Sequence, residues 1–167
     1  LGVSIYYAEN MGTIADNIRE VSPEILTTVP RLLEKVYDKI MSKGLKTKGF
    51  KKKIFLWAVK TGHQFEPMEN QGWWFDLKLT IANKLVFSKW REALGGKMRV
   101  IVSGGAALQP RLIKVFTAAQ IPVLEGYGLT ETSPVIAVNT LGNKGINPGT
   151  VGKPIENVNV KISDEGE

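Results

Sequence analysis

Residues 97–128 constrain the fold more than any other stretch of the chain. KMRVIVSGGA is a β-branched, apolar run ending in two glycines. Pro110 then opens the segment RLIKVFTAAQ, and IPVLEGYG returns to a strand pattern. Strand, glycine turn, helix and strand make one βαβ unit, whose strands are normally parallel and whose crossover is normally right-handed. Both glycine-bearing segments, SGGAAL at 103–108 and EGYGLTET at 125–132, therefore fall at the carboxyl ends of strands. That edge is where open α/β sheets bind ligands.

The rest of the chain agrees with an α/β fold class: βαβ units whose mostly parallel sheet is flanked by helices. Strands are expected at residues 3–8 (VSIYYA), 24–29 (EILTTV), 134–140 (PVIAVNT) and 158–163 (VNVKIS). A short helix runs from Thr13 to residue 21, with Asp16 as the reciprocal partner of a capping box. Pro30 starts a second helix, where Leu33, Val36, Tyr37 and Ile40 form an apolar stripe to about Met41. Further helices are expected at 51–64 and 73–93. The latter is apolar on two sides, with Trp74, Leu77, Ile81 and Leu85 on one and Phe75, Leu79, Ala82, Val86 and Trp90 on the other, so cover from two directions is expected. Trp73 and Trp74 read as core packing rather than pocket lining.

Composition excludes several chemistries. With 43% hydrophobic and 23% charged residues in 167, the chain can bury a core and is not wholesale disordered. It has no cysteine, which removes disulfides and thiol catalysis and suits a reducing, cytoplasmic setting. Its one histidine, His63, cannot build a zinc site alone and has no triad context. No apolar run approaches the roughly 18 residues that span a bilayer. The chain opens LGVSIYYAEN and closes VNVKISDEGE, both in strand-like sequence, so it is expected to be a segment of something longer.

The net charge of +6 concentrates at residues 43–53, where KGLKTKGFKKK carries six lysines. Aromatics do not interleave with them, which argues against nucleic acid. A solvated helix start and loop explains the stretch. The alternative is peripheral contact with an anionic membrane, because Phe50, Ile54, Trp57 and Ala58 fall on one helical face beside the lysines.

SGGAAL lacks the spacing and lysine of a P-loop and by itself reads equally as a turn. EGYGLTET is more particular. Gly126 and Gly128 leave room, Tyr127 offers a flat face, Thr130 a hydroxyl for a phosphate oxygen, and Glu131 a hard oxygen suited to Mg²⁺. A ligand with a ring, a phosphate and a metal, such as ATP, would use all four; a turn with a capped threonine would use none.

VSGGAAL, then EGYGLTETSP, then GTVGKPI at 149–155 closely resemble the adenylate-forming enzymes, the superfamily of acyl-CoA synthetases, firefly luciferase and peptide-synthetase adenylation domains. TTVPRLLEKVYDKI at 27–40 is similar to long-chain fatty acid–CoA ligases in particular. The resemblance covers essentially the whole chain. It implies that residues 1–167 form one fragment of the amino-terminal, AMP-binding domain, without the carboxy-terminal domain. It implies that Gly105 and Ala106 sit against adenine, that Tyr127 stacks on it, and that Glu125, Gly126 and Gly128 border the nucleotide. Thr130 would contact the α-phosphate and Glu131 would ligate Mg²⁺, the two acting as catalytic residues. The implied substrates are a fatty acid, ATP and CoA. At Glu125 the family usually has glutamine, aspartate or asparagine. The family's phosphate loop, ribose-binding aspartate and catalytic lysine are not in this sequence. The fragment alone is therefore expected to be inactive, with a cut sheet edge open to self-association. An adenylate former for aryl or short acids and a non-catalytic nucleotide-binding scaffold are the alternatives.

Overall fold

Pro30 and Pro110 each occupy the first turn of a helix, where a missing N–H costs nothing and a fixed φ is already helical. Each helix follows a strand or the loop after one, and this repetition builds the molecule. The structure, a computed structural model, describes residues 2–10, 12–142 and 144–164. In chain order the elements are α1 (Ile14–Val21), β1 (Ile25–Thr28), α2 (Pro30–Leu45), α3 (Gly49–His63) and α4 (Trp73–Ala82). A π-helical turn (Asn83–Phe87) leads into α5 (Ser88–Ala93), followed by β2 (Val100–Ser103), α6 (Pro110–Ala118) and β3 (Val123–Gly128). A 3₁₀ turn (Thr130–Thr132), β4 (Val135–Val138) and β5 (Lys153–Pro154) complete the series.

The strands form one sheet in the order β1-β2-β3-β4-β5. β1, β2 and β3 are parallel, with Thr28 opposite Ser103 and Ser103 opposite Glu125. The expected βαβ unit is β2–α6–β3. β4 folds back antiparallel on β3, and β5 antiparallel on β4, so the α/β sheet is mixed. The core lies between the parallel half and helices α2, α3, α5 and α6. Tyr37, Phe87, Trp90 and Phe116 meet there edge to face, with ring centroids 5.1 to 6.4 Å apart. Phe87 and Phe116 are fully buried, so truncating either to alanine costs about 3–5 kcal/mol.

Several sequence expectations are corrected. Residues 3–8 form no strand: Val3, Ile5, Tyr6 and Tyr7 are all exposed, and an alternating pattern makes no strand without a partner. Residues 158–163 likewise form none. The outer edge of β4 is taken by Lys153–Pro154, and the chain turns away at Asn157, whose φ is 65°. The capping box at Thr13 is absent. The Asn10 side-chain oxygen instead accepts from the Gly12 and Thr13 amides (2.7 and 3.1 Å), while Asp16 pairs with Arg19 at 3.3 Å. Residues 73–93 form the expected continuous helical run, distorted by the π-helical turn, but it is covered on one side only. Leu79, Ala82, Val86 and Trp90 pack inward, whereas Trp74, Leu77, Ile81 and Leu85 face solvent. Trp73 and Trp74 are exposed and stack on each other, centroids 4.0 Å apart, rather than entering the core.

The lysines of 43–53 are exposed along the end of α2, the connecting turn and the start of α3. No helix among the described residues is long and apolar enough to cross a membrane.

Candidate functional site

The β2–β3 register places the two glycine-bearing segments side by side. Ser103 ends β2 opposite Glu125, so the chain leaving β2 runs beside the last residues of β3. Gly104 donates its amide to Thr28 O at 3.1 Å, tying the start of the loop to β1. Gly105 then takes φ +81°, a conformation costly for any residue with a Cβ. Gly105 and Ala106 are exposed and line a cleft of about 530 Å³ facing Val29, Pro30, Arg31 and Glu34 at the start of α2.

Glu125 points below this loop rather than into the open. It is 4% exposed, and its Oε1 accepts the Leu108 amide at 2.9 Å. Its Oε2 and the hydroxyl of the fully buried Ser103 have no partner among the described residues. Glu125 thus holds the loop that carries Gly105 and Ala106 from underneath, an anchoring role that the sequence reading missed.

Gly126 and Gly128 are strand residues, not a turn. Gly126 packs against β4, where an added Cβ would meet the Val138 side chain at ordinary contact distance. Gly128 has no such space: a Cβ there would run into the Pro134 carbonyl, because the pairing with β4 shifts register between Tyr127 and Gly128. Tyr127, between them, projects outward and is 47% exposed. The next turn is pinned by Thr132, whose Oγ1 accepts the Leu129 amide at 2.9 Å and lies 2.7 Å from Pro134 O. Thr130 and Glu131 ride on this turn. Both are exposed, and neither side chain has a hydrogen bond or ion pair to another described residue.

The third motif joins the same sheet. Asn139, 2% exposed after β4, donates to Thr150 O at 2.7 Å and accepts the Asn147 amide at 3.1 Å. This clip turns the chain back so that Lys153–Pro154 pairs with β4. Asn139 and Thr132 carried no catalytic signal in the sequence, since their role is to shape loops. Gly105 and Ala106 thus line the cleft beside α2, while Tyr127, Thr130 and Glu131 follow β3 and lie outside that cleft's lining.

The family model described as AMP-binding enzyme matches residues 1–167. The chain belongs to the AMP-binding enzyme family. Among its relatives, the long-chain-fatty-acid–CoA ligase FadD15 of Mycobacterium bovis is 32% identical over 99% of this chain and 27% of its own length. The long chain acyl-CoA synthetase 3 of Arabidopsis thaliana is 36% identical over 98% of this chain and 25% of its own. The chain therefore spans about a quarter of the length of these relatives. Among solved structures, the anthranilate CoA ligase AuaEII in complex with anthranoyl-AMP superposes with a TM-score of 0.53 at 19% identity. It covers 94% of this chain and 21% of the ligase, and shows a shared fold.

Proposed function

We propose that this chain is part of the adenylation domain of an AMP-forming long-chain fatty acid–CoA ligase acting in the cytoplasm. In that reaction the fatty carboxylate attacks the α-phosphorus of ATP and releases pyrophosphate. The thiol of CoA then attacks the acyl carbonyl and AMP leaves. The observation that carries the reading is the pair Thr130 and Glu131: adjacent, exposed and without side-chain partners among the described residues, on a turn pinned by Thr132. Residues kept only for the fold would be expected to spend their polar atoms on it, as Glu125, Thr132 and Asn139 do.

Each residue then has a task. Gly105 and Ala106 present side-chain-poor backbone to the flat edge of adenine, and the exposed ring of Tyr127 stacks on its face. Gly126 and Gly128 keep the strand close to β4 beneath the nucleotide. Glu125 borders the site through the loop it holds. The Thr130 hydroxyl donates to an α-phosphate oxygen as charge develops there. Glu131, a single free carboxylate, fits Mg²⁺, which takes one or two carboxylates and completes its shell with water and substrate phosphates. When bound, the ion would neutralise charge on those phosphate oxygens.

Pyrophosphate exchange by the full-length protein, across palmitate, octanoate and benzoate, tests this reading. Exchange strongest with palmitate is expected. Exchange with benzoate alone would point to an aryl-acid enzyme, and none with any acid would leave a nucleotide-binding scaffold.

A further inference from the structure

A second cavity lies on the helical side, away from the β2–β3 edge. The end of α2, the start of α3 and the π-helical turn with α5 enclose about 430 Å³. Ile54, Leu85 and Trp90 contribute to its apolar lining, and Lys43, Lys51 and Lys89 also line it. The three lysines come from three different helices and are all exposed. Among the described residues, no carboxylate lines the cavity. Leu85 belongs to the π-helical turn, a rare distortion found frequently at functional sites, and stays half exposed. An apolar hollow with converging cations and no anion is complementary to one kind of molecule, a chain of methylenes ending in a negative charge.

We infer that this cavity binds a monomeric long-chain carboxylate, its chain against Ile54, Leu85 and Trp90 and its head group among Lys43, Lys51 and Lys89. The site shares no lining residue with the cleft beside Gly105 and Ala106, so it stands apart from the adenylation reading. The lysine cluster that stood out in the sequence thereby acquires a local purpose: two of its members converge on one hollow.

The probe is 11-(dansylamino)undecanoate, followed by fluorescence on the 167-residue chain and on the full-length protein, with dodecanoate as competitor. Saturable binding is expected, displaced by dodecanoate, weakened by salt, and unchanged by Glu131→Gln. The triple variant Lys43→Gln, Lys51→Gln, Lys89→Gln should weaken it about tenfold or more, since exposed cations contribute attraction without holding the fold. Leu85→Glu, a change at a half-exposed position, should weaken it comparably. Equal displacement by dodecyltrimethylammonium would overturn the inference, because the lysines would then play no part. So would unaltered affinity in the triple variant, which would put the probe elsewhere. Binding to phosphatidylserine vesicles with none to the monomeric probe would also overturn it, in favour of a membrane surface.

Discussion

Two glutamates six residues apart illustrate how burial separates roles. Glu125 is enclosed and hydrogen-bonded to the Leu108 amide; Glu131 stands free in solvent. Glu131→Gln in the full-length enzyme is expected to lower adenylation by about 10²–10³-fold, the scale for losing one preorganised electrostatic group, with little change in thermal stability. Near-normal turnover at saturating Mg²⁺ would overturn the proposed role of Glu131 as a metal ligand. Glu125→Ala should instead act on folding, because it strands a buried amide at a cost of about 1–3 kcal/mol, measurable in urea. His63 carries a third prediction. Its Nε2 lies 2.8 Å from the Tyr37 hydroxyl, whose pKa is itself raised chiefly by burial. Burial also lowers the His63 pKa from its ordinary 6.5, with the Arg111 backbone opposing this and the Arg111 charge adding to it. The unfolded chain then takes the proton more readily. This contribution to stability is complete above pH 6.5 and is lost as pH falls towards the lower folded value. The urea midpoint should therefore drop between about pH 7.5 and about pH 5.5, and drop less in His63→Gln. Parallel slopes in the two proteins would count against it.

At the scale of elements, the π-helical turn after α4 is held by visible contacts. Leu79 O accepts from the Asn83 amide and, at 3.1 Å, from the Asn83 side chain. The same side-chain nitrogen reaches Ala118 O at 2.9 Å. Asn83 Oδ1 accepts from Arg91 at 2.7 Å, and Arg91 also reaches Ala119 O at 2.7 Å. This network satisfies the carbonyls at the end of α6 and docks the π-helical turn on it. Asn83→Ala should cost about 1–3 kcal/mol in urea unfolding, since buried partners lose their hydrogen bonds. A change within error would mean that water replaces the amide without penalty.

Across the whole molecule, the sheet has two unlike margins. β5 is two residues long, and a short edge pairs poorly with other chains. β1 is longer, pairs only with β2 among the described residues, and exposes Ile25. The 167-residue chain should therefore self-associate along β1 in sedimentation velocity, and Thr27→Lys should suppress it. A monomer at high concentration would show that this edge is protected. The same chain offers ATP one hydroxyl, one carboxylate and a ring, so calorimetry should find binding no tighter than about millimolar, about −4 kcal/mol. Micromolar affinity would show a more complete site.

The sequence by itself determined the parts whose signals are local. Proline at a helix start, β-branched runs ending in glycine, and the order of SGGAAL, EGYGLTET and GTVGKPI sufficed for the β2–α6–β3 unit and for membership of the family. Tertiary structure decided whatever depended on a partner distant in the chain. Residues 3–8 and 158–163 carry strand patterns but form no strand, while Lys153–Pro154 pairs with β4. Glu125 read as a border of the nucleotide, and only the parallel register, which brings the Leu108 amide to its carboxylate, shows that it also anchors the loop above it. Gly128 read as leaving room for a ligand, and the structure adds that a Cβ there would run into the returning Pro134 backbone. Hydrogen bonds and steric exclusion act over a few ångströms, so a residue's neighbours across the sheet are set only when the chain has closed on itself.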